Sequence, residues 1–352
     1  MTRASNSPPL LVVEDLKTHF FTRRGVTKAV DGVSFTLLAG ETLALVGESG
    51  CGKSVTCLSL VRLVPEPAGR IVGGRVLFEG QDLLQKSSAE MRRIRGKRIA
   101  MVLQDPMTSL NPALTIGTQV GEVVRLHQGL RGDSLRQRVL EALRRLRISA
   151  AETRLSHYPH QFSGGMRQRV SSAIALSCAP RLLIADEPTT SLDVTIQAQY
   201  LDLLREVQAS AGVAVILVTH DFGIVAAIAD RVAVMYAGRI VEMGSTAQIF
   251  DRPSHPYTRA LLRCLPAAER GRQPLVEIGG QPPDLARLPD GCPFVPRCPD
   301  RLPICETKFP PLVAIAAGHD AHCWAALPAT ESAAPLVGGS GGGAAVAPPQ
   351  SH

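Results

Sequence analysis

Aromatic residues are scarce in this 352-residue chain, at 4% with a single Trp. Nucleic-acid binding through rows of stacking aromatics therefore has little support. No apolar run reaches the length of about 18 residues that marks a membrane span, and FGIVAAIA at 222–229 is far too short. The N-terminus, MTRASNSPPLLVVEDLK, has only a four-residue apolar stretch and does not read as a secretory signal. The chain thus reads as cytosolic, or as held at a membrane through partners. There is no heptad run, and no C-x2-C pair among the eight Cys, so the usual coiled-coil and structural-zinc patterns are missing. In a cytosolic setting those cysteines are expected as reduced thiols or metal ligands rather than disulfides.

What is present fits a folded α/β protein. Hydrophobic residues make up 45% and charged residues 20%, near the soluble globular average. The length allows one large domain with an appendage or two ordinary domains. The net charge of +7 is local: residues 88–154 hold 13 basic and 6 acidic groups, and the rest of the chain balances. Short apolar runs at 42–46, 98–103, 182–185, 213–219 and 231–235 predict buried strands. Helical patterns between most of them imply a parallel sheet. Alternating segments at 10–16, 33–38 and 75–79 predict an antiparallel sheet near the N-terminus. Helical periodicity dominates from about 106 to 180, with Leu135, Val139, Leu140, Leu143 and Leu146 on one face of a helix at 134–148 and five Arg elsewhere on it. After about 250 the chain turns Pro-rich, and 328–352 is expected to be a disordered tail.

Residues 47–54, GESGCGKS, follow the first buried strand and fit G-x-x-x-x-G-K-[ST]. Gly47, Gly50 and Gly52 let backbone amides, with those of Glu48, Ser49 and Cys51, curl around phosphate oxygens at a helix N-terminus. Lys53 is expected to reach the β- and γ-phosphates and Ser54 to offer a hydroxyl to Mg²⁺. At 182–187, LLIADE, a buried strand ends in two acids. Asp186 would hold Mg²⁺ through water, and Glu187 would orient or deprotonate an attacking water. ATP and Mg²⁺ are the implied cofactors.

Four further segments in order carry a family resemblance. FSGGMRQR at 162–169 is close to the LSGGQ-type signature of ABC ATPases, with Phe for Leu and Met for Gln; SLD at 191–193 and His220 in LVTHD match that family's D-loop and switch histidine; and Gln104 matches the Q-loop glutamine. The chain therefore resembles an ABC-type P-loop ATPase over 10–250: a mostly parallel core sheet, an N-terminal antiparallel sheet, a helical subdomain and, here, a Cys/Pro-rich C-terminal extension. The resemblance implies two cassettes closing head to tail, each ATP lying between the P-loop of one and Ser163, Gly164 and Gly165 of the other, with Asp193 of the D-loop among the nucleotide-binding residues. It implies that His220 bonds the γ-phosphate and that Gln104 senses it through Mg²⁺ or water. Phe20, or its neighbour Phe21, stands where the family stacks an aromatic on adenine.

PSHPYTRALLRCLP at 253–266, the N-terminal TRRGVTKAVDGVSF and QDPMTSLNPALTIGTQ at 104–119 resemble the oligopeptide/dipeptide importer ATPases, a group that includes nickel importers. That resemblance implies a peripheral subunit on the cytoplasmic face of the membrane. Its partners would be a paralogous or identical ATPase, two integral membrane permeases and an extracytoplasmic solute-binding protein, with no nucleic acid. A soluble ABC-class ATPase of translation or repair is the alternative; a single P-loop and the missing coiled coil argue against it. The implied division is an ATPase domain over 1–265, with its helical subdomain at about 106–180, an extension over 266–327 and the tail. Cys292, Cys298, Cys305 and Cys323 lie in the extension as C-x5-C-x6-C-x17-C. Four thiolates in a loop region with little core suit an iron–sulfur cluster, and some relatives carry a [4Fe–4S] cluster in such an extension. Zinc, with His319 or His322 replacing a thiolate, and unligated thiols remain the alternatives. The basic region 88–154 is expected either to dock on permease loops or anionic headgroups or simply to face solvent.

Overall fold

The computed structural model describes residues 8–23, 25–104, 109–190, 192–265 and 277–327. The expected tail at 328–352, Ser191 of the SLD segment, 105–108 after Gln104 and the first part of the extension at 266–276 lie outside the described residues.

Near the N-terminus, β1 (Leu11–Thr22) and β2 (Gly25–Leu37) form an antiparallel pair; β4 (Gly69–Phe78) and β5 (Gln81–Asp82) complete a four-stranded sheet in the order β2-β1-β4-β5. The alternating segments at 10–16, 33–38 and 75–79 fall within it. Between these strands runs β3 (Thr42–Val46), which belongs to the central sheet with β6 (Ile99–Val102), β7 (Leu182–Asp186), β8 (Ala214–Val218) and β9 (Arg231–Tyr236). These five are parallel in the order β9-β3-β8-β7-β6. Each matches one of the expected apolar runs.

Every residue of β3, β7 and β8 is buried, as a parallel sheet covered on both faces requires. Alternation decides which layer each side chain enters. Leu183, Ala185, Val215 and Leu217 pack into the core shared with the helical region. Leu182, Ile184, Ala214, Ile216 and Val218 pack on the opposite side against the N-terminal sheet.

The helical region contains Ile116–Gln128, Gly132–Arg145 and Gly164–Leu176. Thr115 and Ser163 cap the first and third by accepting from the backbone N–H groups of Thr118 and Met166. Val139, Leu140 and Leu143 are buried as the periodicity requires, but the helix stops at Arg145, short of 148, where Arg147 takes a φ of 55°. The basic stripe is not simply solvated. Arg138 donates to Ser177 O and Glu141 (both 2.8 Å), Arg145 to Ser210, and Arg147 to both Glu206 oxygens (2.6 and 2.8 Å), while Arg144 pairs with Glu152. Much of the local charge is met by acceptors on the same chain.

The Pro-rich region holds more regular structure than its composition suggests. After β10 (Arg239–Ser245), antiparallel to β9, the strands β11 (Leu312–Ala316) and β12 (His319–His322) add to the same sheet, making it eight-stranded in the order β11-β12-β10-β9-β3-β8-β7-β6. Glu242 of β10, 1% exposed, fastens this addition. It accepts from the backbone N–H of Ser254 (2.7 Å) and of His255 (2.9 Å), and lies 2.8 Å from His319 Nε2. Three segments distant in sequence thus share one carboxylate.

Candidate functional site

The phosphate loop begins where β3 ends. Gly47, Gly50 and Gly52 have φ of 148°, 80° and 110°, conformations that favour glycine. At Gly47 and Gly52 space adds a second reason: a Cβ would lie 2.3 Å from Met235 O and from Ala29 O respectively. The loop curls tightly around Lys53, whose Nζ donates to Gly47 O (2.7 Å) and Glu48 O (3.0 Å). The helix Lys53–Leu60 starts there and aims its N-terminus at the loop.

Beside it, β7 delivers the two acids. Ser54 Oγ donates to Asp186 Oδ1 at 3.1 Å, so the two groups expected around Mg²⁺ are already neighbours. Burial pushes the Asp186 carboxyl above its usual range; the Ser54 hydrogen bond works against that, and neighbouring Glu187 adds to it. A hydroxyl and a desolvated carboxylate suit a hard divalent cation that takes its other ligands from phosphate and water.

Glu187 turns out of the strand with a φ of 46°, its N–H held by Val218 O at the end of β8. A non-glycine residue in this region is strained, and such strain concentrates at functional positions. The turn aims its carboxylate into a ring of donors. Gln104 Nε2 and Thr190 Oγ1 each donate to Oε2 at 3.0 Å, and His220 Nδ1 lies 3.5 Å from Oε1. Residues just beyond the ends of β6, β7 and β8 therefore address one carboxylate. Sequence reasoning names Gln104, Glu187 and His220 but misses Thr190, three positions after Glu187.

Ser163, Gly164 and Gly165 do not join this cluster. They line a separate recess with Leu192, Asp193, Ile196 and Gln199. Ser163 caps its helix and Asp193 caps Val194–Ala211 by accepting from Ile196 N (2.9 Å), so two helix N-termini meet here. Gly164 faces open space, whereas a Cβ on Gly165 would come 2.6 Å from Ile196 Cγ2. Phe20 packs half-buried against Gly69, and Phe21 is 43% exposed beneath the Arg70 guanidinium.

The family models agree with this geometry and extend it. Residues 30–190 match the model for the ABC transporter, and 241–305 match that for the oligopeptide/dipeptide transporter C-terminal region. The chain is 52% identical over 316 residues to a protein of Sinorhizobium fredii named "Probable peptide ABC transporter ATP-binding protein", covering 90% of this chain and 94% of the relative. The chain belongs to the ABC transporter ATP-binding family. It is also 50% identical over 315 residues, again 90% and 94% of the two chains, to the dipeptide transport ATP-binding protein DppD of Bacillus subtilis. Among solved structures, the dimeric ATP-binding cassette MJ0796 in a post-hydrolysis state with ADP and Pi superposes with a TM-score of 0.61 at 26% identity, over 67% of this chain and 98% of that one. The expected fold class, a P-loop α/β ATPase with an antiparallel sheet and helical region, is therefore established.

Two further features of this ABC ATPase involve the C-terminal part of the chain. The first is a contact from the C-terminal segment to the P-loop. Tyr257, fully buried in HPYT, accepts the Glu48 N–H on its hydroxyl at 2.8 Å, and Arg297 pairs with the Glu48 carboxylate. Nothing in the spacing of Arg297 distinguishes it from the chain's other arginines. The second is the cysteine region. Cys292, Cys298, Cys305 and Cys323 all border one small cavity of about 20 Å³, together with His255, Asp300 and His322. None of the eight cysteines is in a disulfide. Burial raises the Cys292 thiol to about 11 and pushes Cys298 and Cys323 upward. Among the described residues, no three His, Cys, Asp or Glu side chains are grouped so as to hold a metal ion. The thiols converge without forming a ready coordination set.

Proposed function

We propose that this chain powers the import of oligopeptides or dipeptides across the cytoplasmic membrane, hydrolysing ATP as one half of a head-to-tail pair with an identical or paralogous ATPase. The observation that carries the solute class is the match of 241–305 to the oligopeptide/dipeptide C-terminal region, and the names of the relatives support it. No described helix is long and apolar enough to cross a membrane, so attachment to the cytoplasmic face would run through two permease subunits, fed by an extracytoplasmic binding protein. In this proposal 1–265 works as the ATPase domain, with its helical subdomain at about 106–180, and 266–327 as the extension.

Within the site, the amides of 47–52 and Lys53 hold the phosphates, and Ser54 and Asp186 hold Mg²⁺. Held there, Mg²⁺ would supply positive charge to offset that developing on the phosphates. Glu187 serves as general base, with Gln104, Thr190 and His220 fixing its orientation; His220 also reaches the γ-phosphate. The separate recess at Ser163–Gly165 fits a role on the partner's ATP, because backbone amides at a capped helix N-terminus suit an anion and the recess is not part of the chain's own P-loop. Phe20 would stack on adenine. Copurification with permeases, followed by uptake of labelled di- and oligopeptides into proteoliposomes, tests the solute class. ATP-dependent uptake of Ni²⁺ without peptide uptake would favour a nickel importer instead.

We further propose that Cys292, Cys298, Cys305 and Cys323 hold a [4Fe–4S] cluster with a structural role. All four border one cavity, which, at about 20 Å³, the cluster would have to widen on binding. Anaerobically purified protein is expected to absorb near 400 nm, at about the ligand-to-metal band of such clusters, and to contain iron. Colourless, iron-free protein would end the cluster assignment.

A further inference from the structure

Glu48 places a carboxylate inside a loop whose amides converge to receive polyphosphate. That charge is held by the C-terminal part of the chain, 249 residues away in sequence. Arg297 Nη1 donates to Glu48 Oε2 at 2.6 Å and Nη2 to Oε1 at 2.8 Å, a two-pronged pair. The Arg297 side chain is 2% exposed. Its Nε donates to Gly279 O (2.9 Å) and its Nη2 to Ile278 O (3.2 Å), and the rings of Tyr236 and Phe294 flank it at 5.9 Å. From the other side, the Tyr257 hydroxyl takes the Glu48 N–H.

Such a pair differs from the exposed ion pairs on the same chain. Removing its arginine would leave a carboxylate unpaired at the mouth of the phosphate loop. ATP is itself strongly anionic, so an uncompensated charge there opposes binding directly. Residues 292 and 298, on either side of Phe294 and Arg297, also border the cysteine cavity, so the arginine stands on the same short stretch as that cavity.

We propose that Arg297 is a positioning residue for ATP: from the C-terminal extension it neutralises and orients Glu48, so that the phosphate loop meets the nucleotide without a free negative charge. The proposal rests on GESGCGKS being the ATP-binding loop.

The test is ATP affinity and steady-state hydrolysis of the full chain carrying Arg297→Gln, Arg297→Lys, Glu48→Gln or the double change, each checked by thermal melting. Arg297→Gln is expected to raise the Kd for ATP about tenfold, the scale of one uncompensated charge at a protein surface. The penalty should shrink as salt rises, and KM should rise more than kcat falls. Adding Glu48→Gln to Arg297→Gln removes the repelling carboxylate and should restore Kd to within about threefold of the parent. Arg297→Lys, which keeps the charge but loses the fork, should lie between. Arg259→Gln disturbs only an exposed pair with Asp300 and should leave Kd unchanged.

An Arg297→Gln chain that melts like the parent and binds ATP as well as the parent overturns the proposal. So does a double variant no better than Arg297→Gln, which would mark a purely structural role. Should Arg297→Gln not fold, a folded Arg297→Lys chain that binds ATP as well as the parent, or a folded double variant that binds it about tenfold more weakly, overturns it as well. A parent chain that binds no ATP would instead remove the nucleotide-site assignment on which the proposal stands.

Discussion

Replacing Glu187 by Gln separates the chemistry of this site from its architecture. The amide is close in shape to the carboxylate and can keep its oxygen toward Gln104 Nε2 and Thr190 Oγ1, the two donors now at 3.0 Å. Its NH₂ then faces His220 Nδ1, 3.5 Å from Oε1, which accepts when the ring proton is on Nε2. The donors around the side chain therefore keep partners, and the strained turn at φ 46° need not move. What is lost is the ability to take a proton from water. A positioned general base contributes about 10² to 10⁴ in rate, or roughly 3 to 5 kcal/mol of barrier. The expected outcome is hydrolysis reduced by about that factor, with ATP affinity within about twofold of the parent. Phosphate release by the assembled transporter, alongside equilibrium nucleotide binding by the isolated chain, measures both quantities. An assembly carrying Glu187→Gln that hydrolyses within about tenfold of the parent would refute Glu187 as the base. Loss of ATP binding would refute the claim that the amide preserves the site.

Three other substitutions probe the surrounding structure. Asp186→Asn should raise the melting temperature of the nucleotide-free chain at neutral pH, because burial raises the folded pKa and the ionised form therefore costs stability as pH rises above the unfolded value. The gain should vanish at acid pH, where the carboxyl is protonated in both states, and Mg²⁺-dependent hydrolysis should be lost; an unchanged or lower melting temperature at neutral pH would contradict the burial argument. Gly165→Val should press on Ile196 and lower hydrolysis by the assembly about tenfold or more without weakening ATP binding to the isolated chain, with Ile196→Ala restoring part of the loss. Glu242→Ala removes the acceptor for Ser254, His255 and His319 and is expected to destabilise the chain by about 3 to 5 kcal/mol in urea melts, far more than loss of an exposed ion pair such as Arg205–Asp202.

The parts of the proposed nucleotide site and most of its scaffold are legible from the residues alone. A phosphate loop is a contiguous string whose glycines answer to local backbone geometry, so Gly47, Gly50 and Gly52 can be named without knowing what surrounds them. Runs such as TLALV and LLIAD declare themselves because a strand covered on both faces must be apolar throughout. How these parts meet is a matter of packing. Gln104, Thr190 and His220 converge on Glu187 because β6, β7 and β8 lie side by side in an order that chain position does not reveal. The strands Leu312–Ala316 and His319–His322 read from sequence as part of a Pro-rich loop region. Four or five residues are too few to show a period; the two strands pair with each other, and His319–His322 alone joins β10, far earlier in the chain, at Glu242↔Ala321 and Met243↔Asp320. Arg297 lies furthest from legibility. Its partner Glu48 is near the other end of the chain, and burial beside Tyr236 and Phe294 is what turns a common arginine into half of a paired charge at the phosphate loop.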